Sequence, residues 1–494
     1  MKFLVIAEKP SVAQSLAKNL SACQRKDGYL EGNSCIVSWC LGHLAEYASP
    51  ENYDEKYAKW QFDDLPIIPE VWKVQVPEDK RKQFEVLCTL MGREDVSYVV
   101  NGCDAGREGE LIFKRVYDLA KCRKPVKRLW ISSMEDEAIQ QGFQCLKDGD
   151  IYEGLCNAAV CRAQADWLIG MNATRAYTTR YFKRLVVGRV QTPTLAMLIE
   201  RKEKIDQFQK EAYYKVFLTD GKLTVTSENI KSETEAEQLR DDCDGEEAVI
   251  TKVKKELKKN SPPKLYDLTS LQREANRFFG YTAQKTLDML QELYEEKLVT
   301  YPRTDSQYVT EDMKGTMEML IDGMMGFLPF LQCVQPDRRI DLVTDNAKVS
   351  DHHAILPTKE ALERGMEGLS EGKKNLLILL GQQLIQATGE DYCYEQTEIS
   401  VQCKKHEFTA KGKLPVQMGF KEVEEAFRNY CLKGKKEDDM EKKSVLPTGY
   451  EKGMVLSAVK SGKSKHYTSP PKMYTDVIFC ERKEWIGIEE RSSA

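Results

Sequence analysis

Three acidic side chains follow strand-like segments in the N-terminal third of this 494-residue chain. Glu8 comes directly after the apolar run 2–7, and Asp104 and Glu108 come after the run 96–101. Carboxylate oxygens are hard ligands that suit Mg²⁺, which takes one or two protein carboxylates and often lies beside a phosphate. An acidic turn after a strand is more often a helix N-terminus without any metal. This pattern alone leaves both interpretations open.

A tyrosine and a pair of histidines supply the second set of reactive groups. Tyr301 lies in the segment 299–306, and Arg303 follows two residues later. A phenol is a poor nucleophile, with an ordinary pKa of about 10. A nearby cation can stabilise the phenolate and the charged oxygens of a phosphate under attack. His352 and His353 can donate to a phosphate oxygen or carry a proton, although each pattern is also typical of packed or capping side chains.

The order of the elements indicates how these groups are positioned. Strand, turn and helix alternate near the N-terminus, which predicts a parallel α/β sheet with functional groups beyond the carboxyl ends of its strands. Further along, the pattern is helical over 151–211, β-like over 212–261, helical again over 267–297 and β-like over 395–420. This order predicts a β-rich domain that is interrupted by a helical insertion.

The composition is that of a globular protein. Charged residues make up 31% of the chain, hydrophobic residues 41%, and the formal net charge is −5. These values exclude a disordered chain, a fibre and a disulfide miniprotein. No apolar stretch is long enough to span a bilayer or to form a signal-peptide core, so we expect a cytoplasmic protein without a membrane anchor. The fifteen cysteines lack zinc-finger spacing, which predicts reduced thiols.

Two segments are locally basic. Residues 172–191 contain five cations, three aromatic residues and no acid. Cations that follow phosphates and rings that stack on bases are typical of single-stranded nucleic acid binding, and a solvated helix face would look similar. The lysine-rich segment 251–264 favours a solvated strand or a linker. The charged stretch 430–444 predicts a loop.

Seven short motifs, taken together and in order, resemble the type IA DNA topoisomerases, and more closely the bacterial topoisomerase III branch carried on mobile elements. The resemblance covers the chain from residue 1 to about 475. The motifs are residues 6–11, 39–44, 104–110, 162–175, 187–193, 301–306 and 351–358.

The resemblance implies a multidomain fold of α/β and α+β type, arranged as a ring. Residues 1–150 would form a Toprim metal-binding domain, and 266–394 a helical domain that carries the tyrosine. Residues 151–212 and 471–494 would form a helical domain with a groove for single-stranded DNA. Residues 213–265 and 395–470 would form a β-rich arch.

The family's functional residues map onto matching positions of this chain. Tyr301 would be the nucleophile, forming a 5′-phosphotyrosine link, with Arg303 and Lys9 on the scissile phosphate. Glu8 would lie near the leaving 3′-oxygen, and His352 matches the active-site histidine. The implied Mg²⁺ ligands are Glu8, Asp104 and Glu108. The implied DNA-binding residues are Arg162, Asp166, Arg189 and Gln191, and the basic segment 172–191 adds Arg175 to the expected DNA contacts.

The resemblance also implies an activity and partners. The family relaxes negative supercoils and decatenates DNA by transient cleavage, strand passage and religation. Ester exchange needs no ATP, and the absence of a G-x-x-x-x-G-K-[ST] loop agrees with this. The expected substrates are single-stranded DNA and negatively supercoiled or catenated DNA. A monomer is expected, with Mg²⁺ as cofactor, no membrane association and a helicase as a candidate partner.

Two departures from the family pattern leave alternatives open. Gly106 replaces the middle acid of the usual Asp-x-Asp-x-Glu turn, which predicts at most one well-defined Mg²⁺ of weaker affinity. After residue 475 the family's next helical stretch does not follow, so residues 151–212 are expected to expose apolar surface or to need a partner that covers it. The alternatives are a DNA-binding remnant with impaired strand passage and a Toprim nuclease that does not need Tyr301.

Overall fold

The computed structural model describes residues 1–131, 134, 136–331, 338–349, 352–431, 446–447 and 449–474. The predicted loop at 430–444 lies outside the described residues from position 432 onward, as does the predicted groove segment from position 475. In the part of the chain that is described, no helix is long and apolar enough to cross a bilayer. The thirteen cysteines there are free thiols.

The N-terminal region contains a seven-stranded sheet and a separate two-stranded one. The strands are β1 (Lys2–Ala7), β2 (Gln24–Lys26), β3 (Tyr29–Glu31), β4 (Cys35–Trp39), β5 (Glu46–Tyr47), β6 (Val74–Gln75), β7 (Val96–Gly102), β8 (Val126–Arg128) and β9 (Lys147–Asp148). The order in the large sheet is β2-β3-β4-β1-β7-β8-β9, and β4, β1, β7 and β8 run parallel. This is the parallel α/β sheet that the sequence predicted.

Helices cover both faces of this sheet because its central strand is apolar on both sides. The helices are α1 (Pro10–Asn19), α2 (Arg81–Gly92), α3 (Arg107–Leu119) and α4 (Asp136–Gln144). Successive residues of a strand point to opposite faces. Accordingly, Leu4 and Ile6 pack in the core under α2 and α3, whereas Val5 and Ala7 pack in the core under α1 and α4.

Two long helices follow, α5 (Glu153–Tyr181) and α6 (Gln191–Asp206). Only Cys156, Ala159 and Arg175 are buried along the 29 residues of α5. The helix is held to the N-terminal region by polar contacts, such as the bond from Trp167 Nε1 to the Ala48 carbonyl oxygen at 3.1 Å. Large apolar side chains are exposed around these helices, including Ile169, Tyr177, Tyr181, Phe182, Leu195 and Ile199.

The second large sheet is antiparallel. Its strands are β10 (Ala212–Thr219), β11 (Thr224–Thr226), β12 (Ala248–Asn260), β13 (Tyr392–Cys403), β14 (His406–Gln417), β15 (Val455–Leu456) and β16 (Lys460–Tyr467), with α7 (Glu233–Cys243) packed against them. The order is β15-β12-β13-β14-β11-β10-β16. The lysine-rich segment forms β12, and its lysines are largely exposed.

A helical region is inserted between β12 and β13, as the sequence predicted. It contains α8 (Leu268–Phe279), α9 (Ala283–Glu295), α10 (Lys314–Phe327), α11 (Lys359–Arg364) and α12 (Glu371–Ala387). Residues 376–387 of α12 are all buried at the centre of its core. The later helix α13 (Lys421–Cys431) follows β14 in sequence, but its Val423 and Phe427 pack into this helical core.

Candidate active site

Two neighbouring parallel strands place acidic side chains at one edge of the N-terminal sheet. In the register of β1 and β7, Ala7 pairs with Gly102, so Glu8 and Asp104 both lie just beyond this edge. Glu108 lies in the first turn of α3. The three carboxylates line one cavity of about 680 Å³, as expected from the strand ends.

A glycine and a buried arginine fix the turn that carries Asp104. A Cβ atom at Gly109 would lie 2.1 Å from the Asp104 carbonyl oxygen, so only glycine allows α3 to approach the turn this closely. The Arg128 guanidinium donates to the carbonyl oxygens of Cys103 and Asp104, each at 2.7 Å. It also donates to the Glu110 carboxylate at 2.6 Å. A buried ion pair therefore holds the acidic turn in place.

The acidic groups differ in how their charge is balanced. Burial, followed by the charge of Asp104, raises the pKa of the Glu8 carboxyl to about 7, although Lys9 opposes this rise from 3.8 Å. His43 Nε2 lies 3.3 Å from Glu108, and its hydrogen bond lowers the pKa of that carboxyl. Negative charge is thus poorly compensated around Glu8 and Asp104, whereas Glu108 is paired.

The chemistry of these donors fits Mg²⁺. All are carboxylate oxygens, and a cation between Glu8 and Asp104 would offset the burial cost and the repulsion from Asp104, which together raise the Glu8 pKa. Gly106 supplies no side chain to the turn, and Glu108 faces His43. Across the described residues, no three Asp, Glu, His or Cys side chains converge closely enough to form a metal-ligand set.

Tyr301 lines the same cavity, although it belongs to the helical insertion. Its loop is tied to the histidine segment because Thr300 Oγ1 donates to the Ala354 carbonyl oxygen at 3.2 Å and Thr304 Oγ1 to that of His352 at 3.0 Å. The rings of Tyr301 and His352 stack with their centroids 4.1 Å apart. These contacts fix the orientation of the phenol relative to the histidine.

The surroundings of Tyr301 keep its hydroxyl protonated. Burial raises the pKa of the phenol far above its ordinary value, the charges of Asp104 and Glu8 raise it further, and Arg303 lowers it. The Tyr294 ring lies edge-on to that of Tyr301, with centroids 5.4 Å apart. A protonated phenol attacks phosphorus only if positive charge or a proton acceptor assists it during the reaction.

Helices α5 and α6 contribute basic and polar groups next to the acids. Arg162 Nη1 lies 3.8 Å from Glu108, and both Arg162 and Asp166 line the cavity. Asp166 accepts a hydrogen bond from Arg189 Nε at 2.8 Å, and the Arg189 side chain is 42% exposed. Gln191, the first residue of α6, is also exposed. These side chains extend the cavity towards the surface.

Arg175 does not lie on this surface, contrary to the expectation of a DNA contact. Its side chain is only 3% exposed. The guanidinium donates to the Tyr57 carbonyl oxygen at 2.7 Å and lies over the Trp60 ring, 5.0 Å from the centroid. Its charge therefore holds a loop of the N-terminal region against α5, and the basic character of segment 172–191 did not reveal this.

The cavity brings together all the predicted site residues except Arg175, Arg189 and Gln191. It also contains His43 and Arg115, which sequence reasoning did not assign to the site. His43 lies in the motif 39–44 and is one of only five histidines, so its residue type was a usable signal. Arg115 lies two helical turns after Glu108, on the same face of α3.

Two family models match the chain. One, described as DNA topoisomerase, matches residues 150–481, and the other, described as Toprim domain, matches residues 3–134. The proteins named DNA topoisomerase 3 of Bacillus licheniformis and Bacillus subtilis are 41% and 40% identical to this chain over 488 residues. Both alignments cover 96% of this chain and 66% of the relative. The chain therefore spans about two thirds of the length of these relatives.

A solved structure shares the fold. Full-length topoisomerase I from Thermotoga maritima in a monoclinic crystal form matches with a TM-score of 0.72. The match covers 99% of this chain and 76% of the other, at 22% sequence identity.

Proposed function

This chain belongs to the type IA DNA topoisomerase family, and we propose that it is an ATP-independent enzyme that cleaves one DNA strand, passes DNA through the break and rejoins it. The observation that carries this proposal is the position of Tyr301. A tyrosine of the helical insertion lines the same cavity as Glu8 and Asp104 of the N-terminal sheet. A nucleophile beside a cation-binding acidic set suits phosphoryl transfer.

The proposed reaction is an exchange of phosphate esters. The Tyr301 hydroxyl oxygen bonds to phosphorus, the bond from phosphorus to the 3′-oxygen breaks, and the net result moves the phenolic proton to that oxygen. Arg303 and Lys9 offer positive charge to the phosphate, and the His352 ring holds the phenol in place. One ester replaces another, so ATP is not required, and attack by the 3′-hydroxyl reverses the reaction.

Glu8 and Asp104 would hold one Mg²⁺, and Glu108, the third predicted ligand, would join them only by turning away from His43; the ion would supply positive charge beside a DNA phosphate. Since Glu108 is paired with His43, we expect Glu8 and Asp104 to contribute most to the binding.

The proposed substrate is single-stranded DNA within negatively supercoiled or catenated molecules. The Arg189–Asp166 pair, Arg162 and Gln191 would contact the strand beside the cavity, because they extend from it to the exposed surface. We propose that the protein acts as a monomer and that a helicase supplies single strands when the DNA is fully duplex. The four-domain division predicted from the sequence remains part of this proposal.

A cleavage assay tests the proposal. The protein is incubated with a 3′-labelled single-stranded oligonucleotide and denatured, and the covalent adduct is measured by gel electrophoresis. We expect an adduct with wild type and none with Tyr301→Phe. Tyr294→Phe is the matched control and should retain the adduct, since this neighbouring phenol is not the proposed nucleophile. Mg²⁺-dependent cutting that persists in Tyr301→Phe would indicate a nuclease instead, and binding without any adduct would indicate a DNA-binding remnant.

A further inference from the structure

A second polar cavity lies where the helical insertion joins the antiparallel sheet, apart from the catalytic cavity. Its volume is about 300 Å³, at the lower end of the range of about 300–1,000 Å³ for small-molecule sites. One wall is the segment 263–266, which connects β12 to α8, and another comes from α13. None of its lining residues takes part in the proposed cleavage chemistry.

Buried amides face this cavity from α12, the most buried helix of the insertion. Gln382 and Gln386 of α12 line it and are only 3% and 5% exposed. They are four residues apart and therefore share one face of the helix. Gln382 Oε1 is buried and has no hydrogen-bond partner among the described residues. A buried amide oxygen without a partner is costly, so the cavity is suited to a ligand that donates a hydrogen bond there.

The neighbouring Gln383, on the same helix, has a structural role instead. Its Nε2 donates to the Lys264 carbonyl oxygen, which ties α12 to the connecting segment. The amide nitrogen of Gln382 donates to Gln383 Oε1 at 3.4 Å. This contact orients the Gln382 amide and leaves its oxygen to the cavity.

The remaining lining groups supply a flat apolar surface and positive charge. Phe278 packs edge-on against Phe427, with ring centroids 4.8 Å apart. The Arg277 guanidinium lies 5.2 Å from the centroid of the Phe278 ring and is half exposed at the cavity rim, where Glu274 pairs with it at 3.3 Å. Among the charged residues that line the cavity, three are basic and two are acidic.

We propose that this cavity binds a single nucleotide, with its base at Gln382 and Gln386 and its phosphate at Arg277. A glutamine amide such as that of Gln386 can match the paired donor and acceptor groups on the edge of a base, above all adenine, and Gln382 Oε1 can accept a hydrogen bond from a base amino group. A phenylalanine ring offers a stacking surface, and a guanidinium suits a phosphate. The nucleotide is either a free nucleoside monophosphate or one unit of a DNA strand, since both present the same groups.

The first test measures binding of adenosine 5′-monophosphate by titration calorimetry in the Tyr301→Phe protein, which removes any contribution from cleavage. We expect Gln386→Met to weaken binding about ten-fold or more, because it loses a base contact. Arg277→Gln should weaken binding of the monophosphate more than that of adenosine. Lys285→Gln is the charge-matched control, because Lys285 is exposed on α9 outside the cavity, and it should bind as the parent does.

The second test locates the ligand. 8-Azidoadenosine monophosphate is crosslinked by light, and the modified peptides are identified by mass spectrometry. Crosslinks in peptides that contain residues 263–278 or 382–386 support the proposal. Displacement of the probe by a short oligonucleotide identifies a DNA unit as the ligand, and resistance to displacement identifies a free nucleotide. Crosslinks confined to the catalytic cavity would overturn the proposal. So would an affinity for adenosine 5′-monophosphate that is the same in the parent, in Gln386→Met and in Arg277→Gln. Melting temperatures check that each variant is folded.

Discussion

The stability of the turn that carries Asp104 should depend on Arg128, although Arg128 does not line the catalytic cavity. Its side chain is 1% exposed and bonds to one carboxylate and four backbone carbonyl oxygens. Arg128→Met would leave Glu110 buried without its partner. Removing one member of a buried ion pair costs about 3–5 kcal/mol of unfolding free energy. Since burial raises the pKa of Glu110 despite Arg128, protonation of that carboxyl would limit the loss.

The measurement is the denaturant unfolding transition of the N-terminal region, together with adduct formation. We expect Arg128→Met to lower the free energy of unfolding and the amount of adduct, because the carbonyl groups of Cys103 and Asp104 lose their donor. Adding Glu110→Leu should recover about half of the lost stability or more, because no unpaired charge is then buried. Lys127→Met is the matched control on the same strand, since its exposed pair with Asp148 contributes only about 0–1 kcal/mol. A loss below about 1 kcal/mol in Arg128→Met, or a double variant no more stable than the single one, would refute this reasoning.

Three further predictions concern residues that differ in burial. Arg189→Ala should weaken single-stranded DNA binding and reduce its salt dependence by about one unit of slope. Arg175→Ala should leave that slope unchanged and lower the melting temperature, because its guanidinium is buried against Tyr57; a reduced slope would show that it does meet phosphate. Burial lowers the pKa of His353, so the unfolded state binds its proton first as the pH falls. The contribution of the neutral His353 to the free energy of unfolding should therefore be fully present above the ordinary histidine pKa of about 6.5 and should decline below it. His353→Phe should reduce this decline in thermal melts between about pH 7 and pH 5, and an unchanged decline would contradict the assignment.

The acidic edge of the site could be predicted from the sequence because it depends on local patterns. Two apolar strands each end in an acid, and parallel neighbours place such ends together, as Glu8 and Asp104 show. The helical insertion between β12 and β13 was predictable for a similar reason, since the hydrophobic period changes from two to 3.6 residues at its borders.

Other features depend on contacts between distant segments, which periodicity does not reveal. The stacking of Tyr301 on His352 requires two loops to be joined by hydrogen bonds across about fifty residues of chain. Motif resemblance assigned both residues to one site, but it did not give their geometry. Arg175 was expected at the surface because its neighbours in sequence are basic, and only the packing of α5 shows that it is buried. The role of Arg128 was missed because an arginine at the end of a short strand, next to other basic residues, carries no local signal of burial.

The central claim is that the Tyr301 oxygen forms an ester with a DNA phosphate. The most direct measurement is mass spectrometry of the protein after incubation with a short single-stranded oligonucleotide, nuclease trimming and proteolysis. The account predicts a nucleotide attached to the peptide that contains Tyr301, and to no other peptide. Nucleotide found only on another residue, or an unmodified Tyr301 peptide while the oligonucleotide is being cut, would contradict it.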